Sequence, residues 1–247
     1  MKKTSFLMLT FVAMLCVGLV SCSKDKDDNN TTTTTNGGDN PGGGEDDDDD
    51  DCVDLGLPSG LIWARYNIGA TKPEEYGDYF SWGETQPKNY PEWTWETYRY
   101  AEGGERELTK YCSGSSYGHN GFTDNLTTLL PEDDAAVVNW GGGWRTPTIE
   151  DFRELIDHTT RVWTSINGVD GMLFTASNGK SIFFPAAGDW WGSELIYEGE
   201  NGLYWSSTLV MGNSTQVYGL YTGSDGATTC YLGRFPGMPV RAVRSAK

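Results

Sequence analysis

Thr148-Ile149-Glu150-Asp151-Phe152-Arg153-Glu154-Leu155-Ile156-Asp157-His158 decides how the chain is read, because it is the clearest helix in it. Thr148 stands where an N-cap belongs, Asp151 falls three residues on, and Ile149, Phe152, Leu155 and Ile156 share one face. His158 sits at the helix end, where a partly charged imidazole suits the dipole and a structural role is expected. Upstream, Leu130-Pro131-Glu132-Asp133-Asp134-Ala135-Ala136-Val137-Val138-Asn139 has Pro and acids in its first turn and Gly141 just past its end, so a second short helix is expected there. Downstream the period changes to two. Ile166-Asn167-Gly168 and Ser177-Asn178-Gly179-Lys180 flank the strands 172–175 and 181–184, and Asn-Gly supplies the two positive φ values of a type I′ hairpin turn. Further strands are expected at 203–207, 216–221, 228–232 and 240–243, with early ones at 61–64 and 79–82, and long packed loops between Gly83 and Phe122. Two short helices, small antiparallel sheets and long loops make an α+β fold with one core in residues 52–247.

Composition bounds the function. Ten Trp, thirteen Tyr and nine Phe set against 32 Gly describe a turn-rich fold tied together by large side chains. A formal charge of −17 repels phosphate backbones, so no nucleic-acid partner is expected. With His119 and His158 as its only histidines the chain excludes a multi-histidine metal centre, and no cofactor or metal is expected.

Lys2 and Lys3 followed by the apolar run Ser5 to Val20 outline a secretion signal, too short for a comfortable bilayer span of about 20 residues. It closes on Leu19-Val20-Ser21-Cys22, which resembles a bacterial lipobox; the resemblance implies a signal peptide at 1–21 and lipidation of Cys22. Two or three acyl chains, at about 0.8 kcal/mol per buried CH₂, would hold the protein to a membrane almost permanently. Ser23-Lys24-Asp25-Lys26-Asp27-Asp28 resembles the acidic export signal of outer-membrane surface lipoproteins, which implies an outer-membrane, cell-surface location. Residues 22–51 read as a disordered acidic linker, with Thr31 to Thr35, Gly42-Gly43-Gly44 and Asp46 to Asp51. Residues 23–51 carry −9 and the leader +2, which leaves −10 on the domain 52–247. As a flexible coil the linker spans about 30 Å.

Several motifs together resemble one family. Val53-Asp54-Leu55-Gly56-Leu57-Pro58-Ser59-Gly60-Leu61-Ile62-Trp63-Ala64, Tyr76-Gly77-Asp78-Tyr79-Phe80-Ser81-Trp82-Gly83-Glu84-Thr85, Asp134-Ala135-Ala136, Trp140-Gly141, Trp144-Arg145-Thr146-Pro147-Thr148, Tyr204-Trp205-Ser206-Ser207-Thr208 and Pro239-Val240-Arg241 are similar to motifs of the "major paralogous domain" (FISUMP) surface proteins. An alanine helix, then Trp-Arg-x-Pro-Thr, then an acidic helix also resembles the formylglycine-generating enzyme group. That resemblance implies a C-type-lectin-like fold of the formylglycine-generating-enzyme type.

The enzyme of that group works through a close pair of cysteines near the C-terminal sheet. Residues 195–247 hold only Cys230, so no catalytic residue is assigned and the chain reads as a non-enzyme. Cys52, Cys112 and Cys230 allow one disulfide with a thiol left over. Gly114-Ser115-Ser116-Tyr117-Gly118 beside His119 matches G-x-S-x-G but lacks the flanking strand and helix of a nucleophile elbow, so a polar loop is expected. The calcium motifs of sugar-binding lectins are absent: Gln86-Pro87-Lys88 places a cation where a carboxylate is needed, and Trp205-Ser206-Ser207 offers hydroxyls.

From Thr208 to Gly237 the chain is dense in Gly, Ser, Thr, Asn, Tyr and Asp, an alphabet of adaptable contact surfaces. It resembles variable regions of lectin-like proteins diversified by retroelements. Ser206, Thr208, Met211, Asn213, Tyr218, Tyr221, Ser224, Asp225 and Tyr231 are therefore the expected ligand-binding residues. Tyr90, Trp93, Trp95, Tyr98 and Tyr100 form a second candidate surface suited to sugar rings. Trp63, Trp82, Trp140, Trp144 and Trp205 read as core, and Arg145 as a brace making buried polar contacts. The expected function is surface-anchored binding or adhesion toward an extracellular glycan or protein. The alternatives are a divergent formylglycine-generating, sulfatase-modifying-type enzyme and a structural subunit of a surface assembly.

Overall fold

The computed structural model describes residues 51–88 and 91–246. The expected signal peptide, Cys22, the linker up to residue 50 and Tyr90 lie outside the described residues.

The architecture is α+β. Strand β1 (Cys52–Asp54) pairs with β2 (Leu61–Ala64), which helix α1 (Ala135–Trp140) and helix α2 (Ile149–Asp157) follow in the chain. Then come the meander β3 (Thr159–Ile166), β4 (Val169–Ala176), β5 (Ser181–Pro185) and the ribbon β6 (Asp189–Trp191), β7 (Glu194–Ile196). A second meander, β8 (Asn201–Leu209), β9 (Gln216–Gly223), β10 (Gly226–Gly233), precedes β11 (Val243–Ser245), which returns to pair with β2.

Local sequence explains these elements. Helix α2 has the Thr148–Asp151 capping box, and His158 is its C-cap. The expected helix at 130–139 is instead a 3₁₀ turn, Pro131–Asp133, and then α1. Asp134 interrupts it: in extended backbone, its carboxylate accepts from the N–H groups of Ala136, Val137 and Thr146 and from the Thr146 hydroxyl, so it caps α1 and cannot lie inside a helix. Asn167 and Gly168, at φ 51° and 85°, make the β3–β4 turn. Segment 79–82 is no strand; only Phe80 bridges to Met238. The last strand lies at 243–245, later than expected, where the chain runs in register with Leu61–Trp63 of β2.

The core is two clusters rather than one. The first gathers Trp82, Tyr98, Tyr111, Trp205 and Val217, and the second Trp63, Phe152, Phe174, Phe184, Tyr204 and Leu220. Sheet β8–β9–β10 lies between them, and its period of two sends Trp205 and Val217 to one cluster and Tyr204 and Leu220 to the other. β8 and β9, expected to contribute to a free binding face, are therefore covered on both sides, while β10 stays partly exposed at the margin.

Two fully buried arginines tie loops to the rest of the domain. Arg241 donates from Nε to Asn67 Oδ1 (2.9 Å) and from Nη1 to the carbonyls of Arg65 and Phe183. Burial lowers its pKa to about 10, and the guanidinium stays charged at neutral pH. Arg234 donates from Nε to the Tyr98 hydroxyl (3.0 Å), from Nη1 to the carbonyls of Tyr111 and Ser214, and from Nη2 to that of Lys110. Its guanidinium carbon lies 5.0 Å from the Trp82 ring centroid and 5.2 Å from that of Tyr98. Arg234→Met would leave three carbonyls unpaired and is expected to lower stability by about 3–5 kcal/mol in urea unfolding. Arg234→Lys, which keeps the charge without the planar fork, should recover only part of that loss.

Candidate functional site: an aromatic cleft beside strand β6

Strand β6 is short but held from three sides. It pairs with β7, Trp190 exchanges both backbone hydrogen bonds with Gly237 (2.9 and 3.0 Å), and the Gly192 N–H donates to the Trp93 carbonyl (2.8 Å). Two glycines permit this close packing. A Cβ on Gly188, at φ +60°, would stand 2.2 Å from the Ile196 carbonyl oxygen, and one on Gly237 would stand 2.6 Å from the Trp93 ring.

The three chain segments that meet here each present an aromatic ring. Trp191 is 46% exposed and meets Phe235 edge-on at 4.8 Å between centroids, while Trp95 meets Phe235 at 5.2 Å. Together with Glu105, Thr215, Gln216 and Gly233 they line a cleft of about 420 Å³. Phe235 is pinned by the Ser81 hydroxyl, which donates to its carbonyl (2.7 Å). Lys88 bonds the Thr97 carbonyl (3.0 Å), two residues past Trp95, and pairs with Glu84 (2.8 Å). On the polar rim, Asn213 donates from Nδ2 to Gln216 Oε1 (3.0 Å) and accepts from the Thr215 hydroxyl (2.9 Å). The result is an open, ring-walled depression with a carboxylate and an amide at its edge, while the Thr215 hydroxyl is buried and given to Asn213.

The nine expected binding residues do not assemble. Met211 and Asn213 lie before β9, Ser224 and Asp225 after it, and eight residues of strand separate them by about 25 Å. Ser206 is fully buried, its hydroxyl donating to the Tyr218 carbonyl (2.7 Å), in the stretch of β8 where the register with β9 shifts. Thr208 is half-buried and accepts from the Ile149 N–H at the start of α2 (3.2 Å). The half-buried Tyr221 hydroxyl lies 3.2 Å from both Asn201 Oδ1 and Asp225 Oδ1, bracing the β9–β10 turn. Tyr218 and Tyr231 form a separate pair (5.2 Å) with Arg153 over Tyr218; Tyr231 is exposed, as is Met211. Of the nine, Asn213 alone serves the cleft, from behind its rim. Trp93, Tyr98 and Tyr100 of the second candidate surface are buried, and of that group Trp95 reaches the cleft.

Trp63, Trp82 and Trp205 are core, but Trp140 and Trp144 are only half-buried, because the Gly141-Gly142-Gly143 turn carries them to the edge, where grooves of about 400 Å³ flank Trp144. Arg145 is about a third exposed and pairs with Asp151 (2.7 Å), so the buried braces are Arg234 and Arg241 instead. Cys52, Cys112 and Cys230 are all free thiols, and no disulfide joins them. Burial pushes the Cys230 thiol up to about 12, which keeps it protonated at neutral pH. His119 uses Nδ1 toward Glu107 (2.7 Å) and Nε2 toward Asn120, so neither nitrogen serves Ser116. Sequence reasoning missed Trp191, Glu105, Thr215, Gln216 and Phe235. The available signal was Trp190-Trp191, a tandem in which a strand must send one ring outward.

Compared with family models, with curated proteins and with solved structures, the chain matches none.

Asp189, two residues before Trp191, is buried and its carboxyl is pushed up to about 6 by that burial, with the Trp191 side chain opposing the shift. The native chain therefore keeps a proton between about pH 4 and 6 that the unfolded chain releases, so this group lowers stability as pH rises through that window and by a constant amount above it. Asp189→Asn should accordingly stabilise the protein at pH 7 by up to roughly 2–3 kcal/mol, with no gain at pH 4, as read by urea unfolding at the two pH values.

Proposed function

We propose that this chain is a lipid-anchored surface protein of C-type-lectin-like fold, resembling the "major paralogous domain" group, and that it binds extracellular glycan through the Trp95–Trp191–Phe235 cleft. The single observation that carries the reading is the meeting of three rings around a concave site with a polar rim. Sugar rings present apolar C–H faces to aromatic rings and hydroxyls to groups such as Glu105 and Gln216. A cleft of about 420 Å³ suits a few sugar units better than a protein, whose interface typically takes about 800 Å² per partner. The lipid on Cys22, the acidic linker and the outer-membrane surface location belong to the same proposal; they would set the head about 30 Å from the membrane, facing glycans and away from nucleic acid.

The enzymatic alternative, an oxidase of the formylglycine-generating type, needs a thiolate pair, and the protonated Cys230 gives it no support.

A glycan array probed with the full-length protein tests the proposal. Trp191→Ala is expected to weaken the best ligand about tenfold or more, whereas Ser224→Ala and Asp225→Ala, at the far end of β9, should leave it unchanged. Binding that survives Trp191→Ala but is lost in Asp225→Ala would move the site to the hairpin tip.

A further inference from the structure

The buried acids of this domain are otherwise well supplied. Asp133 accepts from the hydroxyls of Tyr100 and Tyr111 and from Lys110. Asp134 accepts from four donors at the start of α1, and Glu84 from Lys88 and the Arg99 N–H. Asp189 is different. It is 2% exposed, and its Oδ1 has no hydrogen-bond partner among the described residues. With that oxygen unpartnered, and with the Trp191 side chain's hydrogen bond outweighed by burial, the carboxyl is costly when charged and tolerable when protonated.

Its position makes this consequential. Asp189 lies on β6 with Trp191, on the same face of a three-residue strand, and β6 carries the hydrogen bonds that hold the walls of the cleft together. We propose that Asp189 is a proton-operated latch on the cleft: protonated, it keeps β6 seated and Trp191 against Phe235; ionised, it favours release of β6 toward water and loosens the hold on ligand. The ligand side of this inference rests on reading the cleft as the binding site.

The groups facing Asp189 do not titrate with it. Cys230 on β10 stays a thiol up to about pH 12. Tyr79, whose hydroxyl donates to the Ala187 carbonyl (2.6 Å), is held above its ordinary pKa by burial and by neighbouring Tyr204, Tyr76, Glu198 and Asp189. Burial dominates at Asp189 itself, with the carboxyl at about 6 against 3.8 when exposed. The difference sets a ceiling of roughly 100-fold on how far the seated-to-released ratio can fall as pH rises from about 4 to 6. Glu105 on the cleft wall is the other carboxylate whose titration could reach the ligand.

Hydrogen exchange on the full-length protein tests the latch without a ligand. The amides of Trp190, Gly192 and Gly237, corrected for intrinsic rate, should lose protection between pH 4 and 7 by a factor of several up to roughly 100 while staying less protected than the core β9 amides, whose exchange needs global unfolding and so carries the same stability loss. In Asp189→Asn the β6 protection should be flat across that range. β6 amides as protected as those of β9 at pH 7, a flat wild-type profile, or an unchanged profile in Asp189→Asn would each overturn the latch. The wild-type comparison alone decides if the variant does not fold. For the strongest array ligand, Kd should rise with pH in wild type and in Glu105→Gln but not in Asp189→Asn. A switching exchange profile in a protein that binds no glycan would leave the latch standing and remove the cleft reading; glycan binding with flat exchange would do the reverse.

Discussion

Arg234 is the constraint on which the rest of the domain depends. It stands at the end of β10, and its guanidinium reaches the Tyr98 hydroxyl and the backbone carbonyls of Lys110, Tyr111 and Ser214. Those atoms belong to the long 83–122 loop region and to the turn before β9, which share little regular secondary structure. Among the described residues the buried Arg234 has no carboxylate partner, so its charge is held by carbonyl dipoles and by the rings of Trp82, Tyr98 and Tyr111. Tyr111 is itself held at φ 57°, a left-handed conformation that Asp124 supports by accepting from its N–H (2.7 Å). One side chain thus fixes where Phe235 leaves β10, and the next residues carry Phe235 to the cleft.

The same sheet explains why the cleft is at an edge. Both faces of β8–β9 are packed, so exposed chemistry is confined to turns, to the margin of β10 and to the places where loops meet the strand ends. Trp95, Trp191 and Phe235 come from three sequence-distant segments that the sheet end and β6 bring together. A polar, turn-rich segment such as 208–237 can look like a binding face in sequence and still spend its hydroxyls internally, as Ser206 does toward Tyr218 and Thr208 toward α2.

Much of the local structure was legible. The Thr148–Asp151 capping box, the Asn167-Gly168 turn and the strand at 61–64 follow from short-range rules, and each is found where those rules place it. Elements defined by long-range partners were not legible. β6 and β7 pair over three residues each, β3 follows α2 without a turn signal, and the last strand is fixed only by meeting β2. The candidate site falls in this second class. Asn213 and Trp95 carry signals of polarity and aromaticity, and the Trp190-Trp191 tandem signals one outward ring, but which tryptophans meet in the cleft is decided by Gly237 and Phe235, more than forty residues away.

The central claim is that ligand meets Trp191 and Trp95 rather than the half-buried Trp140–Trp144 pair or the hairpin tips. Indole N–H resonances of the ten tryptophans, assigned by single substitution and followed while a glycan from the array is titrated in, test it most directly. The account predicts that Trp191 and Trp95 shift together and saturate with one Kd while Trp63, Trp82 and Trp205 stay in place. Shifts confined to Trp140 and Trp144, or none at Trp191 under saturating ligand, would contradict it.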